Sequence, residues 1–152
     1  MLETVIEDID FAQLMKKNIQ DLIIHFFEKE QNFGILCKIE KVYFEPELPD
    51  EINQEFRPLT LFFLAGYTFE TARIEDDMLI FEAGFGVDNI GSIVSVPLLS
   101  IMQVIIDETP IFINLATFKE LENIPNEKLD GNGVENSMAS FLSNPENSKF
   151  LK

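Results

Sequence analysis

The side chains able to do chemistry are few and far apart in this chain. His25 is the one histidine, and no cysteine or second histidine stands at zinc-ligand spacing from it, so a surface histidine is expected. Cys37, the one cysteine, cannot close an internal disulfide and fits a reducing, cytoplasmic compartment. Ser95 and Ser100 lack a histidine partner placed by any nucleophile motif. Glu75-Asp76-Asp77 gathers three carboxylates, but with no further ligand in register a solvated turn is the expectation rather than a hard-cation site. Gly84-Phe85-Gly86-Val87-Asp88-Asn89 has the glycine content of a phosphate loop. However, Asn89 stands where a third glycine belongs, no helix follows directly, and the acidic surroundings repel phosphate. Those glycines suit a bulge or a close backbone approach at a strand end. No metal, cofactor or catalytic set is expected. The residues point to binding, not to an enzyme.

The elements that position these residues follow from apolar periodicity. Met15, Ile19, Leu22, Ile23, Phe26 and Phe27 recur at helical spacing and predict an N-terminal helix from about residue 11 to 30. Asp10 with Gln13 resembles a capping box, and Gly34 follows the last turn. Ile24 falls off the stripe, either as a lone exposed aliphatic residue or as an apolar contact at a dimer interface. Strands are expected over 35–44, 59–65, 67–74, 78–85 and 92–96, with 59–65 apolar enough to be buried on both faces. Pro46, Pro49 and Pro58 make 45–58 a long connection. Pro97 suits the first turn of a helix to about Asp107, with Leu98, Ile101, Met102 and Ile105 on one face, and a last strand covers 110–116. The order is α+β.

The chain has 152 residues, with 11 Lys plus Arg against 27 Asp plus Glu, a net charge of −16. That balance opposes nucleic acid and anionic membranes as partners. An apolar fraction of 46% with 15 phenylalanines supports a real core. Residues 1–116 hold 21 acidic and 7 basic residues, whereas 117–152 hold 6 and 4 and are rich in Asn, Ser and Glu. The division predicts a folded body, 1–116, and a flexible tail, 117–152. Val134, Met138, Phe141 and Leu142 have helical spacing within that tail, either as a transient turn or as a docking segment. No signal peptide is expected from Met1 to Asp8, and the densest apolar run, Ile93 to Ile106, is too short and too polar to span a membrane.

One stretch carries more than composition. Phe81-Glu82-Ala83-Gly84-Phe85-Gly86, a short loop, and then Val94-Ser95-Val96-Pro97-Leu98 resemble the stringent starvation protein B (SspB) family. There the pattern is F-x-A-R-F-G-G, a loop, and V-S-V-P-L before a helix ending in E-N, whose Glu matches Glu108. Leu22-Ile23-Ile24-His25-Phe26-Phe27 is similar to the family's opening helix. The resemblance implies a small open β-barrel or sandwich of mostly antiparallel strands with an N-terminal helix. It also implies a non-enzymatic adaptor of the protease ClpXP, which binds ssrA-type degradation tags as extended peptides. The peptide site it implies is Phe81, Ala83, Gly84, Phe85, Gly86, Val94, Ser95 and Val96. It further implies a homodimer through the helix, at Ile23, Ile24 and Phe27, and a tail end, Lys149, Phe150, Leu151 and Lys152, that docks on ClpX.

The chain departs from the pattern where Gly84 replaces the family Arg and Val87 the second Gly of the pair. Its loop before Ile90 is also longer. The loss of a cation beside the groove bears on which peptide is preferred. A secretion-type chaperone holding one non-globular client is the competing function, being likewise small, acidic and often dimeric. An RNA-binding Sm-like barrel is a third, opposed by the acidic body.

Overall fold

In the computed structural model, the structure describes residues 1–117. A short helix, α1 (Leu2–Ile6), precedes the main helix, α2 (Ile9–Lys29). The cap of α2 is Asp8, whose carboxylate accepts the Phe11 N–H at 3.0 Å. Asp10 therefore lies in the first turn, where its charge complements the helix dipole, and not at the expected cap. Glu30 ends the helix in the left-handed region, φ 54°, and Gly34 is already inside the first strand. The buried stripe of α2 is Ala12, Ile19, Ile23 and Phe26, with Leu22 and Phe27 packed beside it.

Eight strands follow: β1 (Phe33–Lys38), β2 (Tyr43–Glu45), β3 (Leu59–Leu64), β4 (Arg73–Glu75), β5 (Met78–Phe85), β6 (Ile90–Pro97), β7 (Ile101–Ile106) and β8 (Thr109–Ile113). They form two four-stranded antiparallel sheets, ordered β3-β1-β7-β8 and β2-β6-β5-β4. The fold is mixed α+β and is not a closed barrel. Inner-face residues of both sheets (Ile35, Cys37, Phe62, Leu79, Phe81, Val94, Val96 and Val104 among them) join the α2 stripe in one core.

Several elements differ from the sequence expectation. The single strand 35–44 is divided by a 3-10 turn, Ile39–Lys41, so that β1 and β2 belong to different sheets. Tyr67 to Thr71 belongs to a short helix, α4 (Gly66–Thr71), and only Arg73–Glu75 is strand. A further one-turn helix, α3 (Asp50–Asn53), interrupts the proline-rich connection. Residues 98–106 are not a helix: a 3-10 turn, Leu98–Ser100, leads into β7. Its β-branched residues Ile101, Val104, Ile105 and Ile106 pair with β1 on one side and β8 on the other. On the edge strand β3, alternation turns Phe62 and Leu64 to the core and Leu59, Leu61 and Phe63 to the uncovered outer face, so the strand is not buried on both faces.

Two hairpins turn through pairs of acidic residues at positive φ, Asp76-Asp77 between β4 and β5 and Asp107-Glu108 between β7 and β8. These are the dihedrals of two-residue loops that match strand twist. The carboxylates at 75–77 are thus a turn. Arg73 pairs with Glu75, and Lys16 of α2 reaches Asp77 at 2.9 Å.

Candidate functional site

A groove of about 550 Å³ lies on the outer face of the sheet containing β5 and β6. Register explains its shape. Glu82 faces Ile93, and Gly84 faces Gly91. Residues directly opposite share a face, so neither strand puts a side chain of its own on this part of the floor. Nothing stands within 4 Å of where a Gly91 Cβ would be, whereas a Cβ at Gly84 would collide with the Asn89 carboxamide. Asn89, at φ 52° in the β5–β6 loop, therefore closes one end of the groove. The walls come from Tyr67 and Thr68 on α4, from Glu45 and Pro46 at the end of β2, and from Glu82 and Ile93.

The Tyr67 hydroxyl donates to Glu82 Oε1 at 2.6 Å. That bond, with the negative charge behind it and a little burial, holds the Tyr67 proton above its ordinary pKa. Glu45 and Glu82 make the lining acidic, and among the described residues no lysine or arginine lines it. Ser92, opposite Ala83, donates its hydroxyl to the Pro46 carbonyl, tying the β2 wall to the floor.

Beside the groove runs an open strand edge. β4 pairs with β5 only as far as Ile80. The Glu82 N–H is next on that edge, and the Thr71 hydroxyl takes it at 2.9 Å. Alternation along a strand puts the Gly84 N–H and C=O on the same edge, beyond the end of β4.

The expected peptide residues divide by face. Phe81, Val94 and Val96 are wholly buried in the core, so their side chains cannot touch a ligand. Ala83 and Phe85 also pack against the core, although Ala83 lines the groove floor as well. Phe85 meets Phe44 and Phe56 edge to face. Gly84 is in the floor. Ser95 is half-buried opposite Tyr43, in a neighbouring hollow. Gly86 is at positive φ, where a side chain would press on Ile52. The lining residues missing from the expectation are Glu45, Pro46, Tyr67, Thr68, Glu82, Asn89, Gly91, Ser92 and Ile93. Gly91 was the findable one, being a second glycine at strand spacing from the loop.

The helix contacts divide in the same way. Ile23 is fully buried and Phe27 packs against Phe33 and, edge to face, Phe69, which leaves only Ile24 of the three facing solvent. Lys149, Phe150, Leu151 and Lys152, and the apolar set Val134, Met138, Phe141 and Leu142, lie outside the described residues. Among the described residues no group of His, Cys, Asp and Glu could hold a metal ion. No described helix is long and apolar enough to cross a membrane. Burial pushes the Cys37 thiol up to about 12, away from any thiolate chemistry. Compared with protein-family models, with curated proteins and with solved structures, the chain finds no match.

Proposed function

We propose that this protein is a non-enzymatic adaptor that holds an ssrA-type degradation tag in the groove over Gly84 and Gly91 and delivers the tagged protein to ClpXP. The observation that supports it best is the pairing of a glycine-floored groove with an open β5 edge. An extended peptide gains affinity from main-chain hydrogen bonds at such an edge and specificity from alternate side chains. Here the Gly84 N–H and C=O supply the first, and Tyr67, Glu82, Asn89 and Ile93 supply the second. Delivery requires no chemistry from the body. Lys149 to Lys152 would engage ClpX, and tethering raises the substrate's effective concentration at the unfoldase.

The resemblance to SspB supplies the identity of the tag and the protease. The groove refines the tag. With Gly84 in place of arginine and with Glu45 and Glu82 in the walls, a peptide carrying acidic residues at this point meets repulsion. One with a neutral or basic residue there is favoured.

The test is to titrate the full chain with an ssrA-type peptide and with a copy whose acidic residues are replaced by neutral ones, then to measure degradation of a tagged protein by ClpXP. Binding of the peptides, tighter for the neutral copy, with enhanced degradation that disappears when Lys149 to Lys152 are deleted, is the expected result. Failure to bind either peptide sinks the adaptor reading. Recovery of one exported client in place of ClpX would favour a secretion-type chaperone.

A further inference from the structure

The second sheet face open to solvent is of the opposite kind. On the outer side of β3-β1-β7-β8, Leu59, Leu61, Phe63, Ile111, Ile113 and Leu115 are each about half exposed. Register places Leu61, Phe63 and Ile113 in two rows. Leu61, Leu36, Gln103 and Ile113 stand side by side across the four strands, and Phe63, Gly34 and Ile105 form the next row. The Phe63 ring lies over Gly34, where a Cβ would meet it at 3.3 Å, and still keeps 59% of its surface.

We infer that this face is where a second copy of the chain packs, sheet against sheet. Six half-exposed apolar side chains, with the half-buried Leu36 and Ile105 between them, present on the order of 600 Å², the upper end of what a monomer leaves open. Two such faces together approach the total area of a standard stable interface, roughly 1,200–2,000 Å². The single polar side chain in the Leu61 row is Gln103, and it is central. A two-fold axis sets equal positions against each other, and a glutamine carboxamide, holding both donor and acceptor, can satisfy its own copy. A charged partner would find nothing to pair with in these two rows; Lys38, opposite Leu59, stands in the next. The opposite edge strand, β8, carries Pro110 and a bulge, devices that block growth along the sheet. A two-fold contact through the face closes as a pair.

Sedimentation of the full chain across a concentration series tests this. The wild type should form a dimer. Phe63→Glu and, independently, Leu61→Lys should each raise its dissociation constant at least about tenfold, with thermal midpoints showing that both variants remain folded. Ile24→Lys on α2 should leave the dimer intact. Added salt should strengthen the wild-type dimer, because residues 1–116 carry 21 acidic and 7 basic residues and two such bodies repel. A wild type that stays monomeric overturns the inference. So does a dimer that Ile24→Lys dissolves while Phe63→Glu and Leu61→Lys do not, or one that salt disperses.

Discussion

The two sheets are alike within and unlike without. Each turns a dry face of Phe, Ile, Leu and Val toward the same core. Outside, β2-β6-β5-β4 offers a backbone floor framed by Tyr67, Glu82 and Glu45, whereas β3-β1-β7-β8 offers Leu61, Phe63 and Ile113. The inner faces share one requirement, to fill a common volume, so their chemistry converges. The outer faces have no such duty, and their chemistry diverges. The polar, glycine-floored sheet suits a peptide that brings its own backbone. The apolar one suits a surface that brings only shape.

Adjacent phenylalanines give the largest test of this division. Phe62 points inward against Phe81 and Phe85, and Phe63 points out. Phe62→Ala should cost about 3–5 kcal/mol in urea unfolding, and Phe63→Ala no more than about 1 kcal/mol. Comparable losses would erase the distinction between inner and outer faces. Next in size is the groove. Gly91→Gln enters open space in the floor, so it should weaken peptide binding at least about tenfold, or about 1.4 kcal/mol, with an unchanged thermal midpoint. Gly91 is a sharper position for this than Ala83, which also packs against the core. Wild-type affinity in Gly91→Gln would move the peptide elsewhere.

A third test probes the shared interior. Below pH 9 the Cys37 thiol is protonated in both the folded and the unfolded chain. Between its ordinary 9.0 and about 12, only the unfolded chain ionises. Stability should therefore fall as pH rises through that window, by up to about 1.4 kcal/mol per unit, and Cys37→Ala should remove that share of the loss. Identical pH profiles for the two proteins would mean that β1 opens to solvent. The smallest effect is local. Glu82→Gln should let Tyr67 ionise at lower pH, read from tyrosinate absorbance in a Tyr43→Phe background. An unmoved titration would separate the two walls of the groove.

Much of this was legible in the chain. The stripe from Ile19 to Phe26 marked α2, and Asp76-Asp77 marked a hairpin. Other features depended on neighbours. Leu98, Ile101, Met102 and Ile105 satisfy a helical period as well as a strand, and only pairing with β1 and β8 decides. Leu59 to Leu64 has no polar alternation, so its edge position, and with it the exposed row, could not be read from the strand itself. The motif from Phe81 to Phe85 falls on β5, which carries part of the groove floor. Which residues face out follows from register, and register places Phe81 and Val94 inward together. The floor needed Gly84 and Gly91 to be paired, and the walls needed Tyr67 to sit on a helix.

The passage of the chain from β1 through a 3-10 turn into the other sheet also orders events in time. β5 and β6 meet across the short Gly86–Asn89 loop. By contrast, β1 must find β7 across the whole intervening sequence, Gly34 against Ile105. Loop closure costs more entropy the longer the loop, and non-local pairing slows folding. The β5–β6 hairpin is therefore expected to assemble early, and the sheet with the apolar outer face late. Until it does, both sides of the uncharged strand Leu59–Leu64 are unpaired, and crowded or slowed refolding should lose material to aggregates seeded there.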